Sequence, residues 1–237
     1  MNKMINNTLF VTGTDTSVGK TYVCARLLEF MKIEGIQAGY QKWVATGVKA
    51  EMPDDLVLCL DAAGISPEPE LAEQQCPYCF RFPASPHLAA EMEGRSVDAK
   101  IIIENYKTLA ARYEWLIVEG VGGIMVPLRR DLLLADLLAR LQPRTLIVAR
   151  SGLGTLNHTL LTLEALRHRQ IPILGIVFSD SAEEEDEKLV QDNMKTIEEI
   201  GLVRVFGRLQ RQQNAADGRS AFMPVGQAIL GQLLQTK

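Results

Sequence analysis

Gly19, Lys20 and Thr21 close the stretch "VTGTDTSVGKT", residues 11–21. That order of residue types is suited to phosphate chemistry. The glycine lets the backbone approach an anion, the lysine brings a point charge to the β- and γ-phosphates, and the threonine hydroxyl is available to Mg²⁺. The stretch joins a short apolar run to an amphipathic helical pattern. Backbone N–H groups at the start of such a helix point outward and favour negative charge. The usual phosphate loop reads G-x-x-x-x-G-K-[ST], which would place its first glycine at position 14. Thr14 stands there, and Gly13 precedes it.

The displaced glycine points to the deviant P-loop branch. Partitioning and cell-division ATPases of that branch typically carry a signature lysine five residues before the Gly-Lys lysine. Asp15 occupies that position, which weighs against an ATP-driven switch. Cobyrinate-type amidoligases share the loop but add a C-terminal glutaminase with a nucleophilic cysteine. The last cysteine here is Cys79, so that architecture does not fit.

Other candidate residues lie further along. "WLIVEGVGG" sets Glu119 at the carboxyl end of an apolar run, where open parallel sheets bind ligands. A carboxylate there suits Mg²⁺, which takes a few carboxylate oxygens together with phosphate oxygens and water. Asp55 follows Pro53 at a helix start, where spacing alone reads it as a cap. Lys42, in "GYQKWVATG", lies just beyond a strand expected beside the first. It is placed to neutralise charge in a phosphoryl transfer, although an isolated loop lysine is more often simply solvated.

The elements that must position these residues alternate. Strands are expected at 8–12, 37–41, 115–119, 145–149, 173–178 and 203–207. Their nearly continuous apolar, β-branched and aromatic content suits strands covered on both faces. Helical patterns fall at 20–34, 54–63, 85–93, 97–112, 131–140, 154–169, 184–199 and 224–235. The expectation is α/β: one P-loop domain over 1–237, with a mostly parallel sheet and helices on both faces. The acidic run at 183–187 reads as the first turn of a helix.

The 237 residues carry a net charge of −4, 47% hydrophobic and 23% charged residues, and no basic block. Nothing marks a nucleic-acid or anionic-membrane surface. There is no signal-peptide pattern and no apolar run of spanning length. The expectation is a cytoplasmic protein whose four cysteines are mostly reduced.

Together, "VTGTDTSVGKT", "KWVATG", "PHLAAEMEG" after "PAS", "VEGVGG" and "GLGTLNH" resemble in order and spacing the dethiobiotin synthetases, over roughly residues 8 to 180. The last fifty residues match only loosely. The resemblance implies ATP and Mg²⁺ as cofactors, with 7,8-diaminononanoate and CO₂ or bicarbonate as substrates. One amine forms a carbamate, the carbamate is phosphorylated to a mixed anhydride, and the second amine closes the cyclic urea.

It also assigns residues. Lys42 and Lys20 carry the catalytic charge, and Thr21, Asp55 and Glu119 hold the metal. Nucleotide contacts fall on Thr14, Asp15, Thr16, Ser17, Val18, Gly19, Lys20, Thr21 and Tyr22. Further contacts are assigned to Asp55, Glu119, Gly120, Val121, Gly122, Ser179 and Asp180. Substrate contacts fall on Thr16, Lys42, Thr46, Gly154, Thr155 and Asn157. The last three form a helix N-terminus that takes the substrate carboxylate from the partner subunit, which implies a homodimer.

Three departures accompany the likeness. "GYQKWV" is one residue longer before the lysine than the family's G-Y-K-P-V, and Lys42 is aligned by the V-A-T-G that follows it. Ser179 stands where an asparagine commonly reads the adenine edge, leaving base selectivity open. "GRLQRQQN" lacks the proline often found near the base. The Cys-x-x-Cys "CPYC" has no second pair or histidine cluster at ligand spacing and reads as incidental. His158 reads equally well as a substrate contact or a structural residue. The leucine-rich C-terminal helix reads as packed rather than membrane-bound.

Overall fold

The computed structural model describes residues 7–180, 185–212 and 214–235. The chain runs β1 (Thr8–Gly13), α1 (Lys20–Ile33), β2 (Ala38–Lys42), β3 (Val44–Thr46), α2 (Asp54–Ala62), α3 (Pro69–Gln75), β4 (Tyr78–Phe80), α4 (Pro86–Met92) and α5 (Ala99–Arg112). It continues through β5 (Trp115–Gly123), β6 (Pro127–Arg129), β7 (Leu132–Leu133), α6 (Leu134–Leu141), β8 (Arg144–Arg150) and α7 (Thr155–His168). The final elements are β9 (Ile173–Ser179), α8 (Glu187–Gly201), β10 (Val205–Leu209) and α9 (Ala215–Gln235).

Six strands form one parallel sheet in the order β10-β9-β8-β1-β5-β2. Alternation along each strand divides the core in two. From β1, Phe10 enters one cluster with Leu116 and Val118 of β5, Ile102 of α5 and Leu163 of α7. Its neighbours Leu9 and Val11 enter the other, with Ile117 of β5, Leu27 of α1, Leu56 of α2 and Ile229 of α9. Both sheet faces are therefore helix-covered, which is why the strands read as continuous apolar runs rather than as alternation. All six carboxyl ends share one rim, and the candidate residues gather along it.

The expected strands and helices are present, with ends displaced by a few residues except at the start of the terminal helix. Lys42 is the last residue of β2, not a loop residue beyond it, and pairs in register with Glu119. The terminal helix begins at Ala215 and carries Pro224 inside it. A proline costs an interior helix its hydrogen bond and normally marks a boundary. Here burial of Phe222 and Gly218 against the other elements holds the earlier turns.

Of the described part of the acidic run, only Glu187 lies in the first turn of a helix. Glu183 and Glu184 lie outside the described residues, and Glu185 and Asp186 precede α8. The Asp186 side chain caps that helix by accepting from the Leu189 N–H at 2.9 Å. The sequence reading omits α3 and the two short pairs, β3 with β4 and β6 with β7. Among the described residues no helix is long and apolar enough to cross a membrane.

Candidate active site

The loop after β1 shows why its glycine moved. A side chain at Gly13 would meet Val18 Cγ2 at 2.7 Å, the Asp15 carbonyl at 2.8 Å and Lys20 Nζ at 2.9 Å. Gly13 is thus the floor on which the Lys20 amine rests. Lys20 Nζ donates to the Asp15 carbonyl at 2.9 Å, folding the lysine back over the loop. Gly19 caps α1 with φ 93°, a left-handed conformation that disfavours a side chain. A Cβ there would also stand 2.5 Å from Ser179 Oγ, so β9 packs directly behind the loop. Val18 is buried and anchors the loop in the core.

Asp15 is half-exposed but held at both carboxylate oxygens. One carboxylate oxygen accepts from the Thr16 N–H at 2.7 Å, and the other pairs with Arg150 Nη2 at 2.7 Å. The residue in the signature-lysine position therefore ties the loop to the end of β8.

Glu119 organises the neighbouring rim. It is fully buried. Its Oε1 lies 2.5 Å from Lys42 Nζ and 2.9 Å from Thr21 Oγ1, while Oε2 accepts from Tyr40 at 2.7 Å. Lys42 Nζ also contacts Asp55 Oδ2 at 2.8 Å, and Thr21 Oγ1 lies 3.1 Å from Asp55 Oδ1. Asp55 is thus no cap. It stands in the first turn of α2, its side chain caps no helix N–H, and its carboxylate reaches across to Lys42.

Electrostatics separates the two lysines. Burial alone would lower the Lys42 pKa, but the charges of Glu119 and Asp55 outweigh it and hold the ammonium above its ordinary value. Lys20 is lowered to about 8, first by burial and then by repulsion from Lys42. Asp55 is lowered because Lys42 outweighs its own burial.

A cavity of about 420 Å³ joins these groups. Its lining includes Thr16, Ser17, Gly19, Lys20, Thr21, Tyr22, Lys42, Thr46, Asp55, Glu119, Val121 and Gly122. The Gly120 carbonyl lies 3.3 Å from Lys42 Nζ. Thr14 and Asp15 face a second hollow of about 370 Å³ with His158, Leu161 and Met125.

Four further assigned residues also lie outside the first cavity. Gly154 caps α7 with φ 90°, and Thr155 is buried 3.2 Å from Thr159 Oγ1. Neither they nor Asn157 line the cavity. Asp180 is already held by Arg208 through two contacts of 2.9 Å. Tyr40 and Arg150 were not singled out in the sequence. Tyr40 lies two residues before Lys42, on the same strand face, and Arg150 ends β8 on the rim that also holds Glu119. The strand rules that placed Lys42 and Glu119 point to both.

A parallel sheet with a phosphate loop after its central strand defines the chain as a P-loop NTPase-type α/β protein. Solved structures agree at the level of fold. The MinC:MinD cell division complex of Aquifex aeolicus matches with a TM-score of 0.56 and 13% identity, covering 97% of this chain and 95% of that one. A ParA family ATPase from Chlorobium tepidum gives 0.54 and 13%, covering 97% and 99%. A family model described as an AAA domain matches residues 7–217. The ATP-dependent dethiobiotin synthetase of Methanococcus vannielii is 37% identical over 84% of this chain and 91% of its own. That of Anaeromyxobacter dehalogenans is 45% identical over 75% and 78%. The chain belongs to the ATP-dependent dethiobiotin synthetase family, a family of ligases.

Proposed function

We propose that this chain carboxylates 7,8-diaminononanoate and closes the product to dethiobiotin, with ATP converted to ADP and phosphate. The observation that carries the reading is Lys42 Nζ, set on one rim with Lys20 and Thr21 of the phosphate loop and sharing a cavity with Thr46. A carbamate oxygen that is to attack the γ-phosphorus needs a cation beside both groups, and Lys42 supplies it. Lys20 holds the β- and γ-phosphates. Thr46 faces the diamine end. Once the mixed anhydride has formed, the second amine attacks the carbamate carbon and phosphate leaves. Positioning and charge stabilisation are the protein's main contributions.

The oxygens of Thr21, Asp55 and Glu119 converge as a hard donor set suited to Mg²⁺. Among the described residues no three His, Cys, Asp or Glu side chains form a metal cluster, so phosphate oxygens would complete the coordination. When bound, the ion would neutralise charge on the transferred phosphoryl group. The nucleotide would contact Thr14 to Tyr22 and Gly120 to Gly122, with Ser179 and Asp180 towards its base. Gly154 to Asn157 would take the substrate carboxylate of a partner subunit in a homodimer. We treat 1–237 as one domain, supported by its single six-stranded sheet, and place the protein in the cytoplasm.

The test is phosphate release from Mg-ATP and bicarbonate, with and without the diamine. The expected result is release that depends on the diamine and matches dethiobiotin mole for mole. Hydrolysis indifferent to the diamine would overturn the reading in favour of a switch ATPase.

A further inference from the structure

Cys76 and Cys79 lie outside the site and are placed together by the fold. Cys76 ends α3 and Cys79 lies within β4, so the chain turns through Pro77 and brings the two Sγ atoms to 3.4 Å. A disulfide has its sulfurs about 2.05 Å apart, so closure needs a movement of about 1.4 Å, within reach of side-chain rotation.

The thiols border a crevice of about 490 Å³ whose walls include Met52, Pro53, Glu73, Arg95 and Asn105. Cys76 is buried, whereas Cys79 is partly exposed. The two sulfurs therefore differ in access: a reagent entering the crevice meets Cys79 first, and Cys76 waits behind it. The hydrogen bond between the two thiols is the largest influence on Cys79 and lowers its pKa despite burial, with the Arg95 charge adding to it. The same bond and burial push Cys76 up. Attack by an exposed thiolate, followed by resolution by a buried thiol, is the arrangement that thiol–disulfide exchange requires.

We propose that Cys76 and Cys79 form a redox-active dithiol, closed by a low-molecular-weight disulfide of the glutathione class and reopened by thiols. The Cys79 thiolate attacks one sulfur of the small disulfide. The S–S bond of that molecule breaks, one thiolate leaves and a mixed disulfide remains on Cys79. Cys76 loses its proton and attacks Cys79 Sγ, expelling the second thiolate. Two protein thiols are oxidised, one small disulfide is reduced to two thiols, and both protons pass to the thiolates released. In a reducing compartment such bonds are transient and report redox state.

The pair neighbours the carboxylation cavity without belonging to it. Cys79 is paired with Ala45 of β3, one residue before Thr46. Pro53 and Leu56, on the crevice wall, flank Asp55. The dithiol chemistry itself does not depend on the proposed reaction.

The experiment treats the intact protein with glutathione disulfide without oxygen, then denatures it, alkylates it and counts thiols by mass. Of the chain's four cysteines, wild type is expected to lose the two in the Cys-x-x-Cys and to regain them with dithiothreitol. Cys76→Ser should stop at a mixed disulfide on Cys79, and Cys79→Ser should remain unmodified over the same time. Retention of all four thiols in wild type would overturn the proposal, as would a bond mapped to Cys24 or Cys59. Equal reactivity of the two serine variants would also overturn it. Circular dichroism checks that the variants fold. The wild-type thiol count decides the matter alone if either does not.

Discussion

Around Glu119 the polar and charged groups are already matched, whereas around the start of α7 several buried polar atoms are not. Lys42 sits between Glu119 and Asp55, Thr21 reaches both carboxylates, and Tyr40 takes the remaining Glu119 oxygen. Across the loop, Thr14 Oγ1, Arg150 Nε, Ser151 Oγ and His158 Nδ1 are buried without a hydrogen-bond partner among the described residues. Leu153 beside them is 84% exposed and Leu161 60%. Buried polar atoms are normally satisfied, and contiguous apolar exposure marks binding surfaces. Under the proposed reading, one chain completes the phosphate half of the site and leaves the other half open to a partner.

If that contrast is right, changes in the matched half should damage chemistry and stability together, and changes in the open half should affect only binding. The largest effect is expected from Lys42→Ala, with turnover falling about a thousand-fold while circular dichroism stays native. Lys20→Ala should fall by a similar factor. A near-normal rate for either would break the comparison.

Glu119→Ala tests stability. It strips the principal counter-charge from a buried lysine, and losing one partner of such a pair costs about 3–5 kcal/mol. Urea denaturation reads this directly, and a midpoint close to wild type would show that Asp55 suffices.

Asn157→Ala belongs to the open half. It should raise KM for the diamine about tenfold, the cost of about one charge-assisted hydrogen bond, with kcat and melting temperature nearly unchanged. A fall in kcat instead would place Asn157 with the matched groups.

The smallest effect is a proton. Unliganded Lys20 has its pKa lowered to about 8, from 10.5 in the unfolded chain. Between these values the unfolded chain binds more protons, so this group adds stability as pH rises through that window and none below it. Bound phosphates favour the ammonium. Nucleotide binding near pH 9 should therefore take up part of a proton and near pH 7 almost none, measurable by calorimetry in buffers of different ionisation enthalpy.

The sequence exposes the sheet because every central strand is covered on both faces and announces itself locally. The phosphate loop is legible for the same reason: Gly13, Gly19, Lys20 and Thr21 act within one turn of chain. Asp55 is ambiguous because an aspartate in a first helical turn satisfies local capping rules wherever its carboxylate points. Its role depends on Lys42, in another element. Asp180 and Arg208 meet across 28 residues with no periodic signal between them. The early turns of α9, hidden by Pro224, are stabilised by packing that no window of sequence contains.

Leu153, Leu161 and Met125 also bear on how the protein behaves in solution. Under the proposed reading, the seat for the diamine carboxylate is lent by a second copy. Catalytic competence is then a property of concentration as well as of the folded chain. Specific activity would hold constant on dilution until the pair begins to part, then decline with every further step. Mixing Asn157→Ala chains with inactive Lys42→Ala chains would restore a normal KM for the diamine at one site of each hybrid pair, because an intact Lys42 then faces an intact seat.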